Sequence, residues 1–411
     1  MRSIFNVFAS TKMLVVLLLG FASGLPLGLT GGTLQAWMKT ANVDIGTIGL
    51  FSLVGIPYSL KFIWSPLMDR YVPPLLGKRR GWIILTQIGL VITISALGFC
   101  DPQLTPQYMA FFALCVAFFS ASQDIAIDAY RIEVLDENEL GAGASVYVMG
   151  YRIAMIISSA LALILSDHIP WSSVYLIMAG CMLVGILASI FGPEPKNTEA
   201  PPKTLTEAVY KPFTEFFSRV GAVEMLIFIL IYKLDVAFAM ALTTPFMMDL
   251  GFTKTDIGAV LKGVGMISTI GGTLVGGALL SKWGIKKSLW VFGIVQALSG
   301  FSFFLLAKLG HNYPMMVTAV CVENVCSGLA TAAFAAFMMN ICDKRYTATQ
   351  FALLTSFMAI TRTVVQTPSG FIMKGIGWEM YFIVSIIISI PGLLLLTRYN
   401  KWQVHHQPGV E

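Results

Sequence analysis

The sequence predicts an all-α integral membrane protein with about 12 transmembrane helices in two six-helix bundles. Three observations predict it. Hydrophobic residues make up 56% of the 411 and charged residues only 12%, half the charged share of a soluble domain. Apolar runs of the roughly 20 residues that cross a bilayer recur along the chain. One long polar stretch splits them into two equal sets. Mean hydropathy is +0.77, more apolar surface than a water-soluble fold can hide. An ordinary cytosolic enzyme, a nucleic-acid binder and a disordered chain are excluded.

The segments run 13–38, 46–68, 82–100, 107–131, 141–166 and 170–191 in the first half. The second half gives 223–248, 255–280, 288–307, 313–341, 347–373 and 379–397. Met13 to Met38, Trp82 to Cys100 and Tyr381 to Thr397 contain no charge. The first is too long for a signal peptide and lacks a small-residue cleavage site, so it reads as a retained span. Asp101 to Tyr108 holds two prolines and reads as a tight loop. Pro193, Pro195, Pro201, Pro202 and Pro212 stand among Lys and Glu in the central stretch, which reads as a linker. The expected division is a bundle over 1–192, a cytoplasmic linker over 193–222 and a second bundle over 223–411.

Lys and Arg set the orientation. Eighteen of the 27 fall in the N-terminus, the even-side loops, the linker and the tail, and four in the opposite loops. Both termini and the linker of this multi-pass chain are therefore expected in the cytoplasm. The net charge of +5 reports this topology rather than a polyanionic partner. Cys100, Cys115, Cys181, Cys321, Cys326 and Cys342 sit in or at the ends of spans, without metal-ligand spacing, and read as small packing residues. The four His residues lie in loops or the tail. No metal and no cofactor are expected.

The loop after the second span reads Ser65-Pro66-Leu67-Met68-Asp69-Arg70 and then Gly77-Lys78-Arg79-Arg80. The loop after the eighth reads Leu280-Ser281-Lys282-Trp283-Gly284-Ile285-Lys286-Lys287. Both are basic turns at the same place in their halves. Parallel six-helix halves with a central loop are the signature of the major facilitator architecture, and the first loop resembles that superfamily's motif. Glycines 20, 24, 28, 31 and 32 in the first span and 271, 272, 276 and 277 in the eighth read as close-packing surfaces.

Ionisable groups inside spans cost at least about 2.5 kcal/mol each on insertion scales, so they face a cavity or a partner. Arg152, Lys233, Asp235, Glu323 and Arg362 lie near the midplane of the fifth, seventh, tenth and eleventh spans. Three cations against two acids suit an anionic or zwitterionic solute. Lys61, Asp124, Asp128 and Arg131 lie nearer the cytoplasm. Asp124, Asp128 and Arg131 share a helix face at about 100° per residue. Depth then predicts the pairs Lys61–Asp124 and Arg131–Asp69, with Arg70 beside them. This cluster reads either as a proton carrier, since Asp124 and Asp128 repel one another, or as a gate of Lys61, Asp69, Arg70 and Arg131. Asp235 and Glu323 are the other candidate proton-coupling acids.

Several blocks are similar to the AmpG-type muropeptide permeases. They are Tyr58 to Tyr71, Ser122 to Arg131, Glu139 to Gly143 and Tyr147 to Arg152 in the first half. Tyr232-Lys233, Leu242 to Phe246, Asp249 to Phe252 and Arg345 to Gln350 continue the resemblance. It implies import of N-acetylglucosaminyl-1,6-anhydro-N-acetylmuramyl peptides with protons, for peptidoglycan recycling and, in some bacteria, β-lactamase induction. It also implies that Asp124 and Asp128 are needed. Members of that family carry two further hydrophobic segments where this sequence ends.

For such a cargo, Arg152, Lys233 and Arg362 would hold carboxylates. Trp37, Tyr58, Tyr151, Tyr232 and Gln350, with Gln123 and Tyr130 on a second face of the fourth span, would hold sugars. The expected unit is a monomer whose partners are a small anionic or glycopeptide substrate, protons and the bilayer. The alternative is a transporter of another small anion, such as an acyl-CoA, a siderophore-like chelate or a drug. A membrane receptor would show no counterflow. No nucleophile–base pair, phosphate loop or HExxH motif favours an enzyme.

Overall fold

A computed structural model describes residues 7–43, 47, 51–74, 76–195, 202–366 and 368–402. Within these, the side chains of 52, 254, 255, 262, 360–364 and 366 lie outside the description. Among the described residues the chain is helical, with no strand. Nine runs among the described residues are long and apolar enough to cross a membrane. One of them, Asp256–Leu309, covers two expected spans. It turns at Gly284, whose φ of 76° only glycine adopts cheaply. Gly377, at φ 77°, makes the same turn between the eleventh and twelfth.

The helices used below are α1 (Thr11–Thr30), α2 (Ser65–Arg70), α3 (Lys78–Gly98), α4 (Pro106–Val134) and α5 (Leu140–Ile156). After the central stretch come α6 (Leu205–Ser218), α7 (Ala222–Ile231), α8 (Leu234–Ala241), α9 (Gly265–Leu309), α10 (Tyr313–Asn340) and α11 (Thr347–Gln366).

Two expectations need correction. The second span is not one helix. Its described part is a 3₁₀ turn, Phe51–Gly55, the short helix Ile56–Leu60, a second 3₁₀ turn, Lys61–Ile63, and α2. Pro57 and Pro66 each lack the N–H that would continue a helix through them, and each starts a new one. The central stretch is not a plain linker either. The Thr204 side chain caps the Glu207 N–H at 3.1 Å, and α6 follows, burying Ala208, Pro212 and Phe216.

Glycine decides which helices touch. A Cβ at Gly20 or Gly24 of α1 would stand 2.4 Å from the carbonyl of Tyr147 or Tyr151. The backbones of α1 and α5 therefore meet directly. In the second half, a Cβ at Gly272 would stand 2.3 Å from Val325 O, and α9 and α10 meet in the same way. A third contact joins the halves. Gly277 lies against Gly141 O, and Ser145 donates to Thr273 O at 2.5 Å.

The basic loops share one end of the molecule. Lys12 pairs with Asp136 and Glu139, Arg80 with Glu194, and Arg398 with Glu224. This is called the basic end below.

Candidate functional site

A cavity of about 670 Å³ lies between the halves, within the range of small-molecule sites. α5 supplies Tyr147, Tyr151 and Arg152, and the seventh span supplies Lys233 from the opposite side. Thr269 of α9 and Asn324, Ser327 and Thr331 of α10 complete its polar lining.

Lys233 is placed by a break in its own span. Its φ of −110° and ψ of 13° lie outside the helix and separate α7 from α8. Irregular backbone at this depth is tolerated where it lines a cavity. The Lys233 ammonium donates to Thr331 Oγ1 at 2.7 Å and, more loosely, to Ser327 O at 3.4 Å. Past Arg152, α5 widens into a π-type turn over Ile157–Leu161, a distortion frequent at functional sites.

The charge balance of the cavity differs from the expectation. Glu323 is buried away from it, accepting from Gln296 Nε2 at 2.9 Å and Ser299 Oγ at 2.6 Å. Asp235 is buried beyond the kink, with Oδ1 unpartnered. Among the described residues no carboxylate lines the cavity, and neither Arg152 nor Lys233 forms an ion pair. Two unpaired cations therefore face a shared space. The side chain of Arg362 lies outside the described residues.

Four expected sugar ligands are used elsewhere, because a buried amide or hydroxyl must find a partner. Gln123 donates to Ala22 O at 3.0 Å, Tyr130 to Pro193 O at 2.8 Å and Tyr232 to Leu289 O at 2.8 Å. Gln350 donates to Pro212 O and Glu215, tying α11 to α6. None of the four lines the cavity. Trp37 is packed on Trp171 and Tyr175. Tyr58 is half-buried, with its hydroxyl turned inward toward Ser120 and Thr30.

The ion pairs nearer the basic end also differ. Lys61 Nζ lies 3.8 Å from Asp128, not on Asp124, and Arg131 pairs with Asp128 rather than Asp69. The Asp124 carboxylate accepts from the Ser23 hydroxyl of α1. Arg131 turns toward α5, where its guanidinium lies 3.8 Å from the Tyr147 ring centroid. That face of α4 points away from Asp69.

Glu133, two residues further, occupies the face that does reach Asp69. There Arg79 of α3, 1% exposed, bonds Asp69 at 2.8 Å, Glu133 and the Thr347 hydroxyl at 2.7 Å. Lys78 adds a looser contact to Asp69 at 3.8 Å. Asp69 itself accepts from Thr349 N at 2.8 Å, Thr349 Oγ1 at 2.7 Å and, more weakly, Ala348 N at 3.4 Å. An acidic residue from the first half thus caps the first turn of α11 in the second, where the helix dipole favours negative charge. Arg70 stands aside, over the ring of Tyr71.

Arg79, Glu133, Tyr147 and Ser23 are functional candidates that reasoning from sequence did not single out. The polar stripe of α10 was readable, since Asn324, Ser327 and Thr331 recur at helical spacing.

The geometry of a cavity between two helical halves, with a buried polar network at one end, agrees with what the chain resembles. The Major Facilitator Superfamily model matches residues 16–366. The anhydromuropeptide permease of Escherichia coli K12 is 45% identical over 95% of this chain and 80% of its own length. An uncharacterized protein of Haemophilus influenzae is 39% identical over 94% of this chain and 93% of its own. Among solved structures, a bacterial homologue of the iron transporter ferroportin, in an outward-facing state, aligns with a TM-score of 0.68 at 11% identity. That alignment covers 95% of this chain and 99% of the homologue, and it speaks for the fold alone. The chain is therefore a multi-pass membrane transporter that belongs to the major facilitator superfamily and, within it, to the AmpG-type permeases.

Proposed function

We propose that the protein imports anhydromuropeptides, the disaccharide N-acetylglucosaminyl-1,6-anhydro-N-acetylmuramic acid and its peptides, across the bacterial inner membrane with protons. The observation that carries this reading is the cavity, with Arg152 and Lys233 facing one space and no carboxylate on its walls. Lactyl and peptide carboxylates of such a cargo meet both cations, and its sugars meet Tyr151 and the hydroxyl and amide groups of α9 and α10. Likeness to the Escherichia coli permease supports the choice of cargo.

On this reading the positive-inside rule puts the basic end in the cytoplasm. The Asp69 network then closes the cytoplasmic side while two six-helix bundles, 1–192 and 223–411, rock about the cavity. Asp124, hydrogen-bonded by the Ser23 hydroxyl, and Asp128, paired with two cations, are the coupling acids of the first bundle. Glu323 and Asp235 are those of the second. Import uses the proton gradient.

The test is uptake of labelled anhydromuropeptide into proteoliposomes, against free sugar, an acyl-CoA and a siderophore, with and without a pH gradient. Uptake of the muropeptide above the others, lost when the gradient is collapsed, is expected. Uphill uptake that survives collapse would sink the coupling, and preference for another solute would sink the cargo.

Arg152→Ala and Lys233→Ala should each weaken muropeptide binding by about 10- to 150-fold, the worth of one charge-assisted bond of about 1.5–3 kcal/mol. Isothermal titration of the purified variants checks this. Binding unchanged in both, with folding intact, removes the anion site.

A further inference from the structure

We propose that Tyr147 is the positioning residue that ties cargo in the cavity to the protonation of Asp124. The inference rests on the import reading above. Tyr147 belongs to two sites at once. It lines the cavity, one helical turn before Tyr151. Its hydroxyl lies 2.7 Å from Ser23 Oγ, and Ser23 is hydrogen-bonded to Asp124. Its ring carries the Arg131 guanidinium, the partner of Asp128.

The direction of this chain of hydroxyls follows from counting protons. Ser23 has one proton and gives it to the ionised Asp124 carboxylate, which can only accept. The bond between Ser23 and Tyr147 must then be donated by Tyr147. Its hydroxyl proton is committed inward, and the cavity gains no donor from it.

When Asp124 takes up a proton, that proton can be donated to Ser23 Oγ. Ser23 turns its own proton to the Tyr147 oxygen, and the Tyr147 O–H is released toward the cavity. Every hydroxyl keeps one proton throughout, and only the proton from bulk is added. Cargo with a sugar or carbonyl oxygen at that wall gains a hydrogen bond only in the protonated form. By linkage, bound cargo then favours protonation by the same factor.

The other titratable or charged groups facing Asp124 are Tyr58 and Lys61 from the broken second span, Tyr151 from α5, and Asp128 and Arg131 from α4. None of them lies between Asp124 and the cavity through a hydrogen-bonded hydroxyl chain of this kind. Arg131 above the ring fixes its plane, a contact of the cation–π type. The hydroxyl is thereby held on Ser23.

The experiment measures binding of the anhydro-disaccharide to the full-length protein in nanodiscs at about pH 5.5 and about pH 8. In the wild type, affinity should be about five-fold higher at the lower pH, the worth of one hydrogen bond. In Tyr147→Phe and in Ser23→Ala the ratio should fall to about one, since either change cuts the same chain. Tyr147→Phe keeps the ring and its contact with Arg131, so a purely packing role predicts no change in the pH ratio. An equal ratio in the wild type and both variants overturns the proposal, as does a flat wild-type profile.

A second measurement needs no cargo. The infrared difference between wild type and Asp124→Asn isolates the carboxyl band of Asp124, and Tyr147→Phe should shift that band. An unmoved band overturns the relay. A moved band with no disaccharide binding at any pH keeps the relay and rejects the cargo instead.

Discussion

Arg79→Ala is expected to unlock the basic end. The substitution leaves Asp69 and Glu133 buried with their main counter-ion gone, and Thr347 loses its donor. Removing one partner of a buried pair typically costs about 3–5 kcal/mol. On the proposed rocking motion that cost falls on the closed arrangement, in which Asp69 reaches the first turn of α11. The closed-to-open ratio should therefore drop by more than about a hundredfold. Hydrogen exchange at the amides of Ala348 and Thr349 reports it, since both are donated to Asp69. Arg79→Lys keeps the charge but lacks the planar fork that serves two carboxylates and a hydroxyl. It should recover only part of the protection. Exchange as slow in Arg79→Ala as in the wild type would show that the lock lies elsewhere.

Asp128→Asn should be the most damaging change within the membrane. Asp128 is the carboxylate between Lys61 and Arg131, and removing its charge leaves two buried cations facing a neutral amide. The penalty is again of the order of 3–5 kcal/mol, read as a lower melting temperature and lost uphill uptake. Asp124→Asn should be gentler. In the structure Asp124 accepts from the Ser23 hydroxyl, which an amide oxygen can also do. It should fold, lose concentrative uptake, and still exchange cargo at equal concentrations, a process that moves no net proton. Equal losses of stability in the two variants would contradict the unequal pairing.

The fold was legible because the bilayer imposes a length and a polarity on each span. The positions of the turns at Gly284 and Gly377 also fell where apolar runs stopped. Partners were harder to read. A helical wheel puts Asp124, Asp128 and Arg131 on one face, but not the rotation of that face against α5 and α1. Half a turn decides whether Arg131 meets Asp69 or Tyr147. Arg79 was hidden differently. It stands between Lys78 and Arg80 in a basic run that reads as a solvated loop, yet it is the one that α3 turns inward. The four polar residues expected to hold sugar donate instead to backbone carbonyls of neighbouring segments, and Gln350 also to Glu215. Sequence does not announce which neighbour supplies the acceptor.

Burial of Arg79 also sets how the lock responds to salt. Dissolved ions screen charges over about 8 Å at physiological ionic strength, but only where they can approach. Lys12 with Asp136 and Arg398 with Glu224 are open to them. The guanidinium of Arg79 is 1% exposed and Asp69 is fully covered. Rising salt therefore weakens the outer pairs and leaves the pairing of Arg79 with Asp69 at full strength.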